Sequence, residues 1–435
     1  MKIICDKAPY KWLPYKVLVG YILSLLILSI IGPVRYNFDI FALLIVILYI
    51  LAFIFFTWVG MAKSSTYNPV YFANQSGRQR LVRLIKIGII LILPIKVLLV
   101  VSSIQLMGLP SFSNIFSTLA SVYTRLHHGE ETENIYRQID TFCTMIFYFS
   151  TFAGIYWRKK MKTLFFFLII VNISLDLFYN LYFIGTQRSI ITIVVLIMTL
   201  FACNSIESDF HINKRKLKKI ILTISVLLII FFNILSARKT LWASSNSYIY
   251  MNERFDFYNP LLFWCVTDKL KYDVCNLLSY FTQGFYGLSL SFQVPFEWSY
   301  MLGSVRGLNS IISQFFPFIP NMIELTYPLR AGESFNFDGL VNWYSIFPWL
   351  ASDLTFGGAL LYMGVVAWLF MRCWIQSVKY DNPIAFTLLV LLVIQYVFLI
   401  ANNQLFVQRG ESLATVCLLF FYFIYGSKSN FSPEE

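Results

Sequence analysis

Histidine is nearly missing from this chain: three occur in 435 residues, and two of them are the neighbours His127 and His128. No CxxC or HExxH spacing accompanies them, so no transition-metal site is expected. No GxxxxGK[ST] loop occurs, and nothing points to an ATP-driven pump. No repeat with a period of roughly 20 to 50 residues, no heptad and no low-complexity linker is present, which excludes solenoids and modular arrays. Charge is scarce as well. Asp, Glu, Lys and Arg make up 13% of the residues, where a water-soluble protein keeps about a quarter of its residues charged to cover its surface. With 58% hydrophobic and 18% aromatic residues, this chain must be solvated by lipid.

The hydrophobic residues fall into recurring runs, each near the roughly 20 residues that a helix needs to cross the hydrocarbon. About ten transmembrane helices are predicted, at 15–32, 40–60, 85–106, 141–157, 164–184, 189–204, 220–236, 353–371, 384–402 and 413–427. The fold class expected is an all-α polytopic membrane protein, one transmembrane domain over 1–435, with a single large loop at 237–352. The start "MKIICDKAPYKWLPYK" is basic and runs straight into the first span without a small-residue cleavage site, so that span is expected to act as the targeting signal.

The net charge of +12 invites a nucleic-acid reading, but the positions of the charges oppose it. Lysine and arginine gather in alternate loops, in the amino-terminal stretch, between Lys63 and Lys86, in "RKKMK" and in "HINKRKLKK". The positive-inside rule then makes both termini cytoplasmic and exports the loop at 237–352. No nucleic-acid partner is expected. Of seven cysteines only Cys265 and Cys275 share that exported loop; a disulfide between them is allowed there, and two cysteines alone do not require it.

The long loop is unlike a hydrophilic ectodomain. Pieces such as "LLSYFTQGFYGLSLSFQVPFEW" and "LNSIISQFFPFIP" are apolar but interrupted by Gly, Pro and polar residues, which predicts helices lying in the interface or re-entering the membrane around a protein-walled cavity. The exported stretch 107–140 is mixed in charge and is compatible with a solvated helix. Trp242, Trp264, Trp298, Trp343 and Trp349 lie in the long loop; their rings suit either a sugar-stacking groove or an aromatic belt at the membrane interface.

Two ionisable residues fall inside spans. Lys96 and Asp176 lie at nearly equal depth when counted at 1.5 Å per residue, so they are expected to pair, a proton or ion path being the alternative. Five arginines on the exported side sit at membrane boundaries beside glycine or small residues: Arg188 in "GTQRS", Arg238 in "SARK", Arg306 in "GSVRG", Arg330 in "PLRAGES" and Arg409 in "QRGES". A guanidinium is a planar fork that bonds two phosphate oxygens at once. Converging, these residues would make a pyrophosphate clamp; singly, each is also explained by snorkelling or a local ion pair. Asp338 and Glu333, near the end of the long loop, and Asp353, which opens the eighth span, are the candidate catalytic acids. The first exported loop, "GPVRYNFD", holds no paired acid of the kind some metal-dependent glycosyltransferases use there.

Three stretches carry a family resemblance. "GTQRSIITIVV" resembles the G-x-R followed by a span, "GSVRGLNSIISQFFPFIP" the interfacial helix ending in Ile-Pro, and "WYSIFPWLASDLTFGGALLYMGVV" the acid and glycine pair that open the next span, in the O-antigen polymerases of the Wzy type. The resemblance implies a GT-C-like glycosyltransferase that uses no nucleotide sugar, metal or other cofactor. Its donor would be a glycan on undecaprenyl pyrophosphate, its acceptor a lipid-linked repeat unit, and its place the bacterial inner membrane. The arginines would hold the departing pyrophosphate. A chain-length regulator and a flippase of the same pathway are raised as partners, and the residues leave open whether the protein works alone. Two alternatives stand beside it. An O-antigen ligase usually has a histidine late in the loop, which "FDGLVNWYSIFPW" lacks, and a lipid-linked oligosaccharide transporter usually has an internal two-fold repeat and short loops.

Overall fold

Backbone polar groups have no water to bond in hydrocarbon, so apolar runs of this length close their own hydrogen bonds as helices. The computed structural model describes residues 11–65, 75–108, 122, 135–207, 214–245 and 253–426. Among them, seven helices are long and apolar enough to span a membrane. These are α1 (Leu13–Ile31), α2 (Ile40–Ser65), α3 (Gln75–Met107), α5 (Thr163–Tyr182), α6 (Arg188–Glu207), α7 (Lys214–Ser245) and α11 (Ile346–Tyr380), with α4 (Ile135–Tyr148) between α3 and α5. Three further helices, the 24-residue α8 (Asp268–Ser291) and the short α9 (Arg306–Phe315) and α10 (Tyr327–Phe335), come from the long loop, and α12 (Pro383–Val397) and α13 (Arg409–Phe421) end the bundle. The only strands among the described residues are the short β1 (Val34–Tyr36) and β2 (Glu253–Phe255), paired antiparallel with Arg35 opposite Arg254. The chain is an all-α polytopic membrane protein.

The other three expected spans are helical but do not reach spanning length as single regular helices. The run at 141–157 belongs to α4, which passes into a wide turn over Phe149–Ala153 and a last short piece to Tyr156. The run at 413–427 is α13, widening over Tyr422–Gly426. The run at 384–402 is α12, only 15 residues long and buried almost throughout. A helix apolar on every side and surrounded by protein has no need to match the bilayer thickness.

The eighth span also begins earlier than its composition indicates. α11 starts at Ile346, with Pro348 in its first turn, and breaks at Thr355, whose backbone is left-handed (φ 62°). Phe356, Gly357 and Gly358 follow, and the helix then resumes to Tyr380. Its first turns anchor the loop before α9. Asp353, 6% exposed, accepts hydrogen bonds from the Ser299 hydroxyl and from the Ser304 N–H (2.7 Å), while Ser352 Oγ accepts from the Tyr327 N–H (2.9 Å). Tyr300 and Met301, both left-handed, make the turn that this anchoring holds.

Close approach at two glycines draws the loop helices into the bundle. A Cβ on Gly284 of α8 would fall 1.6 Å from the carbonyl oxygen of Ile400, beyond the end of α12. One on Gly307 of α9 would fall 2.2 Å from Ser412 Oγ and 2.3 Å from the Gln408 carbonyl oxygen. The first seats α8 against the main core; the second seats α9 against the start of α13.

Candidate functional site

Three of the arginines picked out in the sequence occupy equivalent places: Arg188 is the first residue of α6, Arg306 of α9 and Arg409 of α13. All three line one cavity of about 690 Å³. The sequence explains each start. Gly185 adopts a positive φ of 68° and turns the chain sharply after α5, which glycine does without steric cost. Gly307 permits the contact between α9 and the 408–412 segment, and Arg409 reinforces it by donating to Ser310 Oγ (2.9 Å) and Gln314 Oε1 (2.8 Å). Arg306 lies over the indole of Trp349, 4.9 Å from the ring centroid.

A helix start is the positive end of its dipole, where a cation loses roughly 0.3–1 kcal/mol rather than gaining it. The first turns of α9 and α13 have no side-chain cap either, so their leading N–H groups add to the positive field. Lys96 and Arg137 also line the cavity, opposed by three carboxylates, Asp140, Asp176 and Glu411. Among the described residues the lining thus holds five cations and three carboxylates.

The carboxylates are arranged in two groups. Lys96 of α3, 2% exposed, donates to Asp176 Oδ1 of α5 (2.7 Å) and to Asp140 Oδ2 of α4 (2.9 Å), with the ring of Phe147 4.6 Å away. Asp176 Oδ2 accepts from Ser189, the second residue of α6 (3.0 Å). The pairing expected from equal depth is present, with Asp140 as a third member. Glu411 forms the second group: its Oε2 lies 3.1 Å from Arg188 Nη1 and its Oε1 accepts from the Tyr148 hydroxyl (3.2 Å).

The cavity wall also carries buried polar atoms without partners among the described residues: the Gln187 Nε2, Gln283 Oε1, Asn402 Oδ1 and Arg188 Nε atoms. Leaving such groups unpaired costs about 1–3 kcal/mol each. Trp343 and Tyr280, their rings 5.0 Å apart edge to face, form an aromatic wall of the same space. The arrangement suits a doubly charged anion attached to a group rich in hydroxyls.

The remaining predicted residues lie elsewhere. Arg330 faces Glu297 (3.5 Å) and donates to the Pro295 carbonyl, outside the cavity lining. Arg238 falls in the last third of α7, and its side chain, like those of Trp242, His127 and His128, lies outside the described residues. The three acids proposed for catalysis do not line the cavity. Asp353 is engaged in holding the 299–304 loop. Asp338 caps its own turn through the Leu340 N–H (2.8 Å), and Glu333 is exposed. Trp349 is buried beneath Arg306, whereas Trp264 and Trp298 are exposed.

Sequence reasoning missed Asp140, Glu411, Tyr148 and the buried amides. Glu411 stands in the same "QRGES" as Arg409, two residues on, and Asp140 stands three after Arg137 in "YRQID", so a search for acids beside boundary arginines would have found both. Among the described residues no group of three or more metal-type ligands is present, and Cys265 and Cys275 are free thiols buried with Val34 and Leu262. Comparison of the chain with protein families, curated proteins and solved structures finds no match.

Proposed function

We propose that this protein is a polymerase of lipid-linked oligosaccharides. It would transfer a growing glycan from undecaprenyl pyrophosphate to a lipid-linked repeat unit at the exported face of a bacterial inner membrane, with both termini cytoplasmic. The observation that carries the reading is the convergence of Arg188, Arg306 and Arg409, each opening a helix, on one cavity whose described lining holds five cations and three carboxylates. A sugar–diphosphate–lipid carries two negative charges in its diphosphate, which these residues would neutralise.

The chemistry follows from that placement. As the bond between the anomeric carbon and the diphosphate oxygen breaks, the leaving lipid diphosphate gains a further negative charge. Cations and helix N-termini fixed beforehand at that point stabilise the transition state more than the ground state. The orphaned amides of Gln187, Gln283 and Asn402 suit sugar hydroxyls, and the Trp343–Tyr280 wall suits the apolar face of a sugar ring.

The test uses protein purified in detergent and lipid-linked repeat units extracted from the source cells, read as a ladder on a gel. Wild type is expected to build the ladder without added nucleotide. Arg188→Ala and Arg306→Ala are each expected to slow it at least about a hundredfold, as for loss of one transition-state donor. Arg330→Ala is expected to retain activity within about tenfold. An unchanged ladder in the first two variants overturns the reading. So does the absence of any ladder when the same lipid crosses proteoliposome bilayers, which makes the protein a transporter.

A further inference from the structure

The three cavity carboxylates are not equivalent. Asp140 and Asp176 share Lys96, and Asp176 also holds Ser189 at the start of α6. Both are committed to a buried ammonium, and their partners belong to the protein. Glu411 is committed to Arg188, one of the arginines that the polymerase reading assigns to the diphosphate. It is 18% exposed in its side chain, against 11% for Arg188, and it stands on the same first turn as Arg409. Their contact is also incomplete. Nη1 of Arg188 lies 3.1 Å from Glu411 without hydrogen-bond alignment, and the Arg188 Nε is buried with no acceptor among the described residues. Arg188, which lines the cavity, therefore has donors that Glu411 does not use.

We propose that Glu411 is the general base for the acceptor hydroxyl, and that its pairing with Arg188 is a latch which the incoming lipid diphosphate opens. The proposal rests on the polymerase reading and deepens it. A diphosphate presents several oxygens to a guanidinium fork, where a misaligned single carboxylate presents one. Once the diphosphate takes Arg188, Glu411 keeps the Tyr148 hydroxyl bond and loses its cation. A carboxylate relieved of an ion pair is the better proton acceptor.

The step balances without a co-reactant. The acceptor hydroxyl gives its proton to Glu411, and its oxygen forms a bond to the anomeric carbon of the donor glycan. The bond from that carbon to the diphosphate oxygen breaks, its electron pair leaves with the diphosphate, and Arg188, Arg306 and Arg409 receive the added charge. Glu411, now a neutral acid, returns the proton to the departing lipid diphosphate. The base is thus exposed only when a donor is seated, and Tyr148 fixes it in place in both states.

The test pairs a binding measurement with a rate. The probe is undecaprenyl diphosphate added to the full chain in detergent; the rate is bond formation between extracted repeat units. Glu411→Gln keeps an acceptor for Tyr148 but loses the charge. It is expected to bind the probe about tenfold tighter, because the internal competitor for Arg188 is gone, yet to form bonds about 10²- to 10⁴-fold more slowly. Glu411→Asp is expected to recover part of that rate, and Arg188→Ala to bind at least about tenfold more weakly. Equal or weaker probe binding by a folded Glu411→Gln protein overturns the latch, and a rate within tenfold of wild type overturns the base. If Glu411→Gln does not fold, Glu411→Asp decides: its shorter side chain withdraws from Arg188, so unchanged affinity overturns the latch. If wild type joins no repeat units while Glu411→Gln still gains affinity, the polymerase reading and the base fall together and the latch stands on binding alone.

Discussion

Lys96→Met tests the buried charge triad, because it removes the one cation that Asp140 and Asp176 share. At separations near 2.8 Å, an effective dielectric constant of about 20 makes each attraction roughly 6 kcal/mol before desolvation and the repulsion between the two acids are counted. The variant need not lose that much, because an aspartate deprived of its partner can take a proton instead. Protonating a carboxyl of ordinary pKa near 4 at pH 7 costs about 4 kcal/mol. Loss of the contact with Phe147 adds about 1 kcal/mol. The expected destabilisation is therefore about 4–5 kcal/mol, within the range for breaking a buried pair from one side. With unfolding entropy near 2.1 cal/mol/K per residue, the 435 residues give about 0.9 kcal/mol per degree, and the melting temperature should fall by about 5 °C. The assay is thermal unfolding in detergent followed by tryptophan fluorescence. Neutralising the whole triad, as Lys96→Met with Asp140→Asn and Asp176→Asn, should recover at least half of the loss. A Lys96→Met protein that melts within a degree of wild type, or a triple variant no more stable than the single one, refutes the account.

Two further outcomes follow from close packing. Gly307→Ala places a methyl group 2.3 Å from the Gln408 carbonyl oxygen, and backbone cannot swing aside as a side chain can. It should cost about 1–3 kcal/mol of stability by overpacking and should separate Arg306 from Arg409, so that undecaprenyl diphosphate binding falls further than the melting temperature alone accounts for. Gly357→Ala, with nothing within 4 Å, is the control expected to change neither measurement. Burial beside Cys265 pushes the Cys275 thiol up to about 11. Alkylation of Cys275 in the folded protein should therefore be slow at pH 7 and rise about tenfold per pH unit until it levels near pH 11, measured by mass spectrometry of the labelled peptide. Rapid labelling at pH 7 would place Cys275 outside this apolar cluster.

Hydropathy made the helices legible because a bilayer leaves the backbone little choice. The pairing of Lys96 with Asp176 was legible for a related reason. Rise per residue fixes depth, and two charges at one depth that cannot reach water must find each other. Boundaries were less legible where tertiary contacts set them. The start of α11 at Ile346 goes with Asp353 holding the 299–304 loop and Ser352 holding the start of α10, and the break at Thr355 is a backbone conformation that no hydrophobic pattern encodes. The Arg188, Arg306 and Arg409 convergence was half legible. Residue type and boundary position picked them out, but Arg330 satisfied the same criterion and faces Glu297 instead.

The acids show most clearly where sequence order misleads. The long loop is rich in carboxylates, so a base sought there or just beyond its end comes from Glu333, Asp338 or Asp353, yet the cavity takes its carboxylates from α4, α5 and the first turn of α13. These helices are far apart in the chain and meet because α4 packs on both α3 and α13 while α5 packs on α3. A carboxylate inside or at the edge of a span is costly to bury without a partner, so each of the three sits beside a lysine or arginine of another helix: Asp140 and Asp176 with Lys96, Glu411 with Arg188. That requirement turns a membrane cost into a positional rule. In a protein of this kind, acids able to reach a membrane-level phosphate site are found on the helices that carry its cations or pack directly against them, and a loop acid reaches it only where its own backbone lines the cavity. Leu340 and Val341 do line it, and Asp338, two residues before, spends its carboxylate on their turn.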